Sequence, residues 1–293
     1  MTTFDAGASL AADLALAIEL ADAADAISLP RFGASDLRVA SKPDMTPVSD
    51  ADLAVETALR GILAQRRPDD AVIGEEFGTG ARTDTATGSG IGIGNESATA
   101  ESATERAGRG RAWIIDPIDG TKNFVRDVPV WATLIALMID GAPVLGVVSA
   151  PALGRRWWGA ADSAWTSFQG GVAKPCHVSH IDSVHDASLS IAQLNSWEAV
   201  GRGAQMHELS ARCWRTRGYG DFFSYVLVAQ GAVDIAAEPE LSLWDLAALA
   251  PIVIAAGGAF STVDGHAIDA RATSAIATNG LLHAEVVAGL TRE

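Results

Sequence analysis

A chain of 293 residues can bury a large core, as one domain or as two closely packed halves, which excludes a small disulfide-held scaffold. Its formal net charge of −15 repels nucleic-acid backbones over the surface as a whole, and it would repel a phosphorylated metabolite too unless bound cations inverted the local field. Two cysteines without CxxC or zinc-like spacing, an acidic rather than basic amino terminus and the lack of any run of about 18 apolar residues are expected of a cytoplasmic protein with no membrane span.

In chain order, apolar side chains at helical spacing predict helices over 9–28 and 50–64, separated by the turn-forming Lys42-Pro43-Asp44. Ser49 to Asp52 resembles a cap for the second helix. Ala71-Val72-Ile73 and Ala112-Trp113-Ile114-Ile115 read as short strands, ending in Gly74-Glu75-Glu76 and in Asp116. Between them, residues 79–109 are rich in Gly, Ala, Ser and Thr and nearly free of large apolar side chains, so they are expected to form a flexible insertion. The glycines of 88–94 lack the Gly-Lys-Ser/Thr and the strand-to-helix frame of a phosphate loop. Residues 130–139 and 143–149 predict a strand pair turning at Asp140-Gly141, with Trp157-Trp158 in a third strand. The second half alternates: a helix near 221–230, a strand at 232–236, a helix from about 243 interrupted near Pro251, and a strand near 274–278. Residues 1–150 are expected to form an α+β half and 151–293 an α/β half.

Trp113-Ile114-Ile115-Asp116-Pro117-Ile118-Asp119-Gly120-Thr121 is the strongest local signal, because a buried strand delivers two carboxylates three residues apart and then a glycine. Hard divalent cations take oxygen ligands, and Pro117 with Gly120 can turn the backbone so that Asp116, Asp119 and an intervening carbonyl converge; an ordinary Asp-capped turn uses the same residues. A helix starting at Gly120-Thr121 would aim free amides at a phosphate beside those acids. Alone, Glu75-Glu76 reads as well as a solvated acidic pair, Asp245 as a first-turn acid favoured by the helix dipole, and Asp50 as part of a cap.

Taken together, Lys42-Pro43-Asp44-Met45-Thr46-Pro47-Val48-Ser49-Asp50, Gly74-Glu75-Glu76, Asp116-Pro117-Ile118-Asp119-Gly120-Thr121 and Trp244-Asp245 through Gly257-Gly258 occur in an order that resembles the inositol-monophosphatase family over nearly the whole chain. The resemblance implies an α/β (α+β) fold, a layered αβαβα sandwich, and a Mg²⁺-dependent phosphatase of small phosphate esters that forms homodimers and is inhibited by lithium. It implies one Mg²⁺ on Glu75, Asp116 and the Ile118 carbonyl, a second on Asp116, Asp119 and Asp245, and a weaker third near Glu75. It further implies that Asp50 and Thr121 orient and activate water, with Glu76 in support. Within the family, Lys122-Asn123-Phe124-Val125-Arg126, Arg155-Arg156-Trp157-Trp158 and Tyr219-Gly220-Asp221-Phe222 look closer to the histidinol-phosphate phosphatases than to inositol-specific members. Glu238, seven residues before Asp245, matches a position that contacts the substrate's organic part, and Asp221 lies in another such stretch. Trp131 and Tyr219 are aromatic enough to stack on an imidazole, or to serve the core. A phosphatase of inositol, sugar or nucleotide phosphates, and a non-catalytic binding protein, are the competing expectations.

Overall fold

The computed structural model describes residues 3–78 and 103–292. Helix α1 (Thr3–Ser28) and helix α2 (Asp50–Arg66) flank a two-stranded ribbon of β1 (Val39–Ser41) and β2 (Pro47–Ser49). Strand β3 (Ala71–Gly74) follows. After the undescribed residues come α3 (Ala103–Ala107), β4 (Arg111–Asp119), the single turn α4 (Thr121–Phe124), β5 (Ala132–Ile139), β6 (Ala142–Ala150), β7 (Arg155–Ala160), β8 (Ser163–Phe168) and β9 (Lys174–Pro175). The remainder runs β10 (Ser188–Ile191), α5 (Leu194–Ala199), α6 (Gly203–Arg212), β11 (Arg215–Arg217), α7 (Asp221–Ala229), β12 (Ile235–Glu238), α8 (Leu243–Leu246), α9 (Leu249–Ala255), β13 (Ala259–Ser261), β14 (Ala275–Thr278) and α10 (His283–Leu290).

Strands β3 to β9 form one sheet in sequence order, and β11-β10-β12-β14-β13 form a second. Alternation along the strands separates their faces. In β4 and β5, Trp113, Ile115, Ile135 and Leu137 pack under Leu16, Leu20, Val55 and Leu59 of the first two helices. Their neighbours Ile114, Leu134 and Ala136 turn the other way, onto α7, α8 and α9. Those helices also cover β12 and β14, whose far face packs Ile235 and Ile276 against Trp197, Met206 and Val286 of α5, α6 and α10. Five layers result, αβαβα, as expected. The first sheet takes strands from both sides of residue 150, so the boundary between sheets falls after Pro175 rather than at the expected division.

Glycines set how closely the middle layer approaches. Gly146 and Gly159 sit opposite each other on β6 and β7. A Cβ on Gly146 would collide with the Ala248 carbonyl, and one on Gly159 would stand 2.7 Å from Ile252 Cα, so helix backbone rests directly on strand backbone there. The expected interruption near Pro251 occurs upstream, at 247–248. Proline lacks an N–H and its ring clashes with the carbonyl four residues back, so Pro251 fits only in the first turn of a new helix.

The strand expected at 232–236 begins at Ile235, because the Asp234 carboxylate is held by Ser179 and by the Ser188 amide at 2.7 Å. Residues 88–94 and most of the expected insertion lie outside the described residues. Its end does not behave as expected: α3 is helical, and Ala107 is fully buried in the core between the sheets. Among the described residues no helix is long and apolar enough to cross a membrane.

Candidate active site

The acids of β4 meet because the strand is irregular. Asp116 pairs with Leu134 and Asp119 with Ala132, so three steps on β4 oppose two on β5. Strict alternation would send residues three apart to opposite faces; the extra residue of the bulge turns both carboxylates to the same side. Pro117 sits in that bulge, its carbonyl accepting from Thr133 Oγ1 at 2.8 Å, and the Ile118 amide donates to Asp116 Oδ1 at 3.0 Å. Asp245 arrives from α8, where it closes a capping box by accepting the Ser242 amide at 2.7 Å. One oxygen from each of Asp116, Asp119 and Asp245 lies within 4.8 Å of the others.

Gly120 follows in the left-handed region (φ 81°) and caps α4. A side chain there would press on the Val130 carbonyl at 3.0 Å and Asp221 Oδ2 at 3.2 Å, so this position needs glycine for both reasons. Thr121 Oγ1 stands 2.9 Å from the Ile118 carbonyl and 3.4 Å from Asp52 Oδ1.

That last contact corrects the expectation for Asp50. Residues 50 and 52 are roughly 200° apart around a helix, so they cannot face the same way. Asp50 points outward to Arg31 (3.0 Å) and Arg38 (3.3 Å). Asp52 points inward, fully buried, accepting from the Ser49 amide and hydroxyl at 2.9 and 2.5 Å. The expected cap is present, with Ser49 and Asp52 as its members. Glu56 lies one turn further on the same inner face, and two buried acids four apart on an otherwise apolar face were the signal for both.

Glu56 builds the Glu75-Glu76 corner. Its carboxylate is ion-paired with Arg60 at 2.8 Å and accepts the amides of Glu76 (2.8 Å) and Phe77 (3.3 Å), lying where a Cβ on Gly74 would be. Glu75 and Glu76 share the Lys42 ammonium at 2.7 and 2.8 Å. Against the cost of burial, these two carboxylates hold the Lys42 pKa above its usual range.

On the other side of the cluster, the Phe222 amide donates to Asp119 Oδ2 at 2.8 Å. Asp221, itself at φ 45°, accepts from Asn123 Nδ2 at 3.0 Å. Glu238 ends β12 with its Oε1 buried and without a hydrogen-bond partner. Trp131 is fully buried with Phe124 and Phe32 beneath α4, which makes it core and removes it as a stacking surface for a ligand. Tyr219 is half-buried, accepting from Arg215 at 3.2 Å and lying edge-on to Phe223.

The electrostatics share one direction. Burial, then Glu75, Asp119 and Asp245, push the Asp116 carboxyl well above its ordinary range; burial, then Asp221 and Asp245, do the same to Asp119. Burial raises Asp245 to about 7, outweighing the Ser242 amide, with Glu75 adding to the rise. Burial and then Glu75 lift Glu76 to about 8, even though Lys42 opposes the shift. Burial and Asp221 lift Glu238 to about 8, and burial lifts Asp52 to about 6 despite the Ser49 hydrogen bonds. Carboxyls thus crowd one region, with the Lys42 ammonium beside Glu75 and Glu76 and the Lys122 ammonium acting on Asp221, and every candidate ligand atom is oxygen. Such a set fits a hard divalent cation, whose charge would restore the ionised forms.

The profile of the inositol monophosphatase family matches residues 10–293. A histidinol-phosphatase of Mycobacterium tuberculosis is 51% identical over 279 residues, 95% of this chain and 97% of that protein. One from Streptomyces coelicolor is 49% identical over 286 residues, 96% and 97% of the two chains. Among solved structures, an inositol monophosphatase from Zymomonas mobilis superimposes with a TM-score of 0.76 at 29% identity, covering all of both chains. With the family profile covering nearly the whole chain and the layered fold in agreement with these likenesses, the chain belongs to the inositol monophosphatase family.

Proposed function

We propose that this chain hydrolyses L-histidinol phosphate to L-histidinol and inorganic phosphate, as a Mg²⁺-dependent phosphoric monoester hydrolase. The observation that carries the substrate is identity of about half the residues to two histidinol-phosphatases over nearly the whole length. The pocket chemistry supports it. Asp221 and Glu238 add two half-buried acids beyond the Asp116, Asp119 and Asp245 cluster, and a leaving group carrying an ammonium and an imidazole would meet them with charge-assisted hydrogen bonds.

In this reading Glu75, Asp116, the Ile118 carbonyl, Asp119 and Asp245 hold two Mg²⁺ ions, with a third, weaker one near Glu75. Bound there, paired metals supply charge stabilisation at the attacking and leaving oxygens. The protein's own groups do the rest. Asp52 takes the role expected of Asp50: with Thr121, 3.4 Å away, it orients the attacking water and accepts its proton. The Gly120-Thr121 turn aims backbone amides at the phosphate, and Glu76 supports Glu75 through their shared Lys42. Glu238 and Asp221 orient the leaving group. No covalent nucleophile is needed.

Comparing kcat/KM for histidinol phosphate and inositol 1-phosphate at one Mg²⁺ concentration tests the substrate; equal or reversed values overturn it and leave the hydrolase. We also infer a cytoplasmic homodimer that lithium inhibits. Sedimentation tests the dimer and a lithium titration of the turnover tests the inhibition, and indifference to millimolar lithium would count against close functional kinship with the family but not against hydrolysis. A non-catalytic role is disfavoured by the presence of every acid the chemistry requires.

A further inference from the structure

Tyr225 lies in the middle of α7, is 1% exposed and stacks its ring on Phe260 at 5.6 Å between centroids. Its hydroxyl has no hydrogen-bond partner. Other buried hydroxyls nearby do: Ser224 bonds to Ser190 at 2.8 Å, and Thr133 bonds to the Pro117 carbonyl. Phenylalanine at 225 would fill the same space without stranding a polar atom, so the fold gains nothing from the oxygen. An unpartnered buried group of this kind calls for a partner that arrives later.

Glu238 Oε1 is the matching orphan. Glu238 is the charged group that acts most strongly on the Tyr225 hydroxyl, as a nearby acceptor as well as a charge, yet the pair misses full hydrogen-bond geometry in the free chain. They stand as a donor and an acceptor at the edge of engagement, in the part of the pocket where Asp221 repels Glu238.

We propose that Tyr225 is a positioning residue for substrate choice: when a cationic nitrogen of the leaving group docks on Glu238, the Tyr225 hydroxyl donates to the same carboxylate and fixes its direction. Two donors, one from the ligand and one from the protein, then satisfy a carboxylate that in the free chain has the protein donor only at the margin of hydrogen-bond geometry. This rests on the cationic-ester reading above, and it adds a residue that does not itself touch the substrate. A nitrogen-free ester draws little from the arrangement, because it gives the ionised carboxylate no opposite charge to hold.

The test is a double-mutant cycle of Y225F and E238Q, with histidinol phosphate and inositol 1-phosphate as the two substrates and melting temperature as a control. Y225F should raise KM for histidinol phosphate about three- to tenfold with kcat nearly unchanged, and should lower the preference over inositol 1-phosphate by a similar factor. In the E238Q background the same change should add less than about twofold, since its route of action is gone. Y225F should melt at or above the wild-type temperature. Equal losses on both esters, or a loss undiminished in E238Q, would assign Tyr225 a packing role and overturn the proposal. A wild-type enzyme with no preference for histidinol phosphate overturns the substrate reading, and that result is read without any variant; the cycle on histidinol phosphate itself still decides whether Tyr225 acts through Glu238.

Discussion

Replacing Asp52 and Asp50 separately, each by Asn, distinguishes the inner acid of α2 from the outer one. Asp52 is buried and reaches Thr121 through Oδ1, while both Ser49 hydrogen bonds end on Oδ2, so D52N removes the proposed proton acceptor and can keep an oxygen where Ser49 donates. Loss of a general base lowers kcat by about 10²- to 10⁴-fold, or roughly 3–5.5 kcal/mol of barrier. The structural cost is separate and smaller, about 1 kcal/mol for a weakened helix cap. D50N breaks ion pairs to Arg31 and Arg38, whose side chains are 25% and 78% exposed. The Arg38 pair is exposed on its arginine side and contributes about 0–1 kcal/mol, and the part-buried Arg31 keeps its Asp36 partner when Asp50 is lost, so D50N should melt within a few degrees of wild type and keep kcat within about threefold. Steady-state phosphate release at saturating Mg²⁺, with a thermal melt of each variant, provides the comparison. A D50N enzyme crippled a hundredfold beside an active D52N would refute the reasoning and restore the assignment expected from sequence.

Three further outcomes follow from the site. In G74A the new Cβ displaces the Glu56 carboxylate from Arg60 and from the amides of Glu76 and Phe77; breaking a buried pair in this way should cost about 3–5 kcal/mol in chemical denaturation, and a loss below about 1 kcal/mol would show that Glu56 can move aside freely. Metal-free protein should lose stability as pH rises: Asp52, Asp245, Glu76 and Glu238 have folded pKa values of about 6, 7, 8 and 8, above those of the unfolded chain, so their contribution is fully present below about pH 4 and is lost as pH climbs through 6 to 8. Mg²⁺ should therefore raise the melting temperature more at pH 8 than at pH 6, and a metal effect that shrinks with rising pH would contradict the assignment. D119N and D245N should abolish Mg²⁺-dependent turnover yet melt at or above wild type without metal, because each removes one of several crowded negative charges; near-normal turnover in either would sink the ligand set.

The layered architecture was legible because its strongest elements are locally consistent. The apolar spacing of α1 and α2, the apolar runs of β4 to β7 and the motifs at strand ends all pointed the same way. Asp116, Asp119 and Asp245 were visible as acids at element ends, and the structure brings them together. What escaped depends on contacts distant in sequence. Strand β4 runs on to Asp119 only because β5 continues to pair with it across the bulge, and a run ending at Ile115 does not reveal that partner. Asp50 and Asp52 share a capping segment, and only the direction of the buried helix face separates them. Ala107 looked like part of a low-complexity stretch, yet one small apolar side chain next to β3 and β4 suffices to join the core. The orphaned hydroxyl of Tyr225 has no sequence signature at all, since within an apolar helix it reads as one more aromatic.

Gly146 has a bearing on which ion the proposed metal site would accept. Ala248, whose carbonyl lies against Gly146, is three residues past Asp245, while Asp116 and Asp119 belong to the same sheet two strands away. The gap between the acids on the strands and the acid on the helix is therefore gauged by bare backbone at a place no ligand occupies. Mg²⁺ tolerates little departure from octahedral bonds of about 2.0–2.1 Å, whereas Ca²⁺ accepts looser cages of about 2.3–2.6 Å. An alanine at Gly146 would push the Ala248 backbone, just past α8, off the sheet and widen that gap, drawing the proposed metal site toward the larger ion while every acidic side chain remained in the sequence.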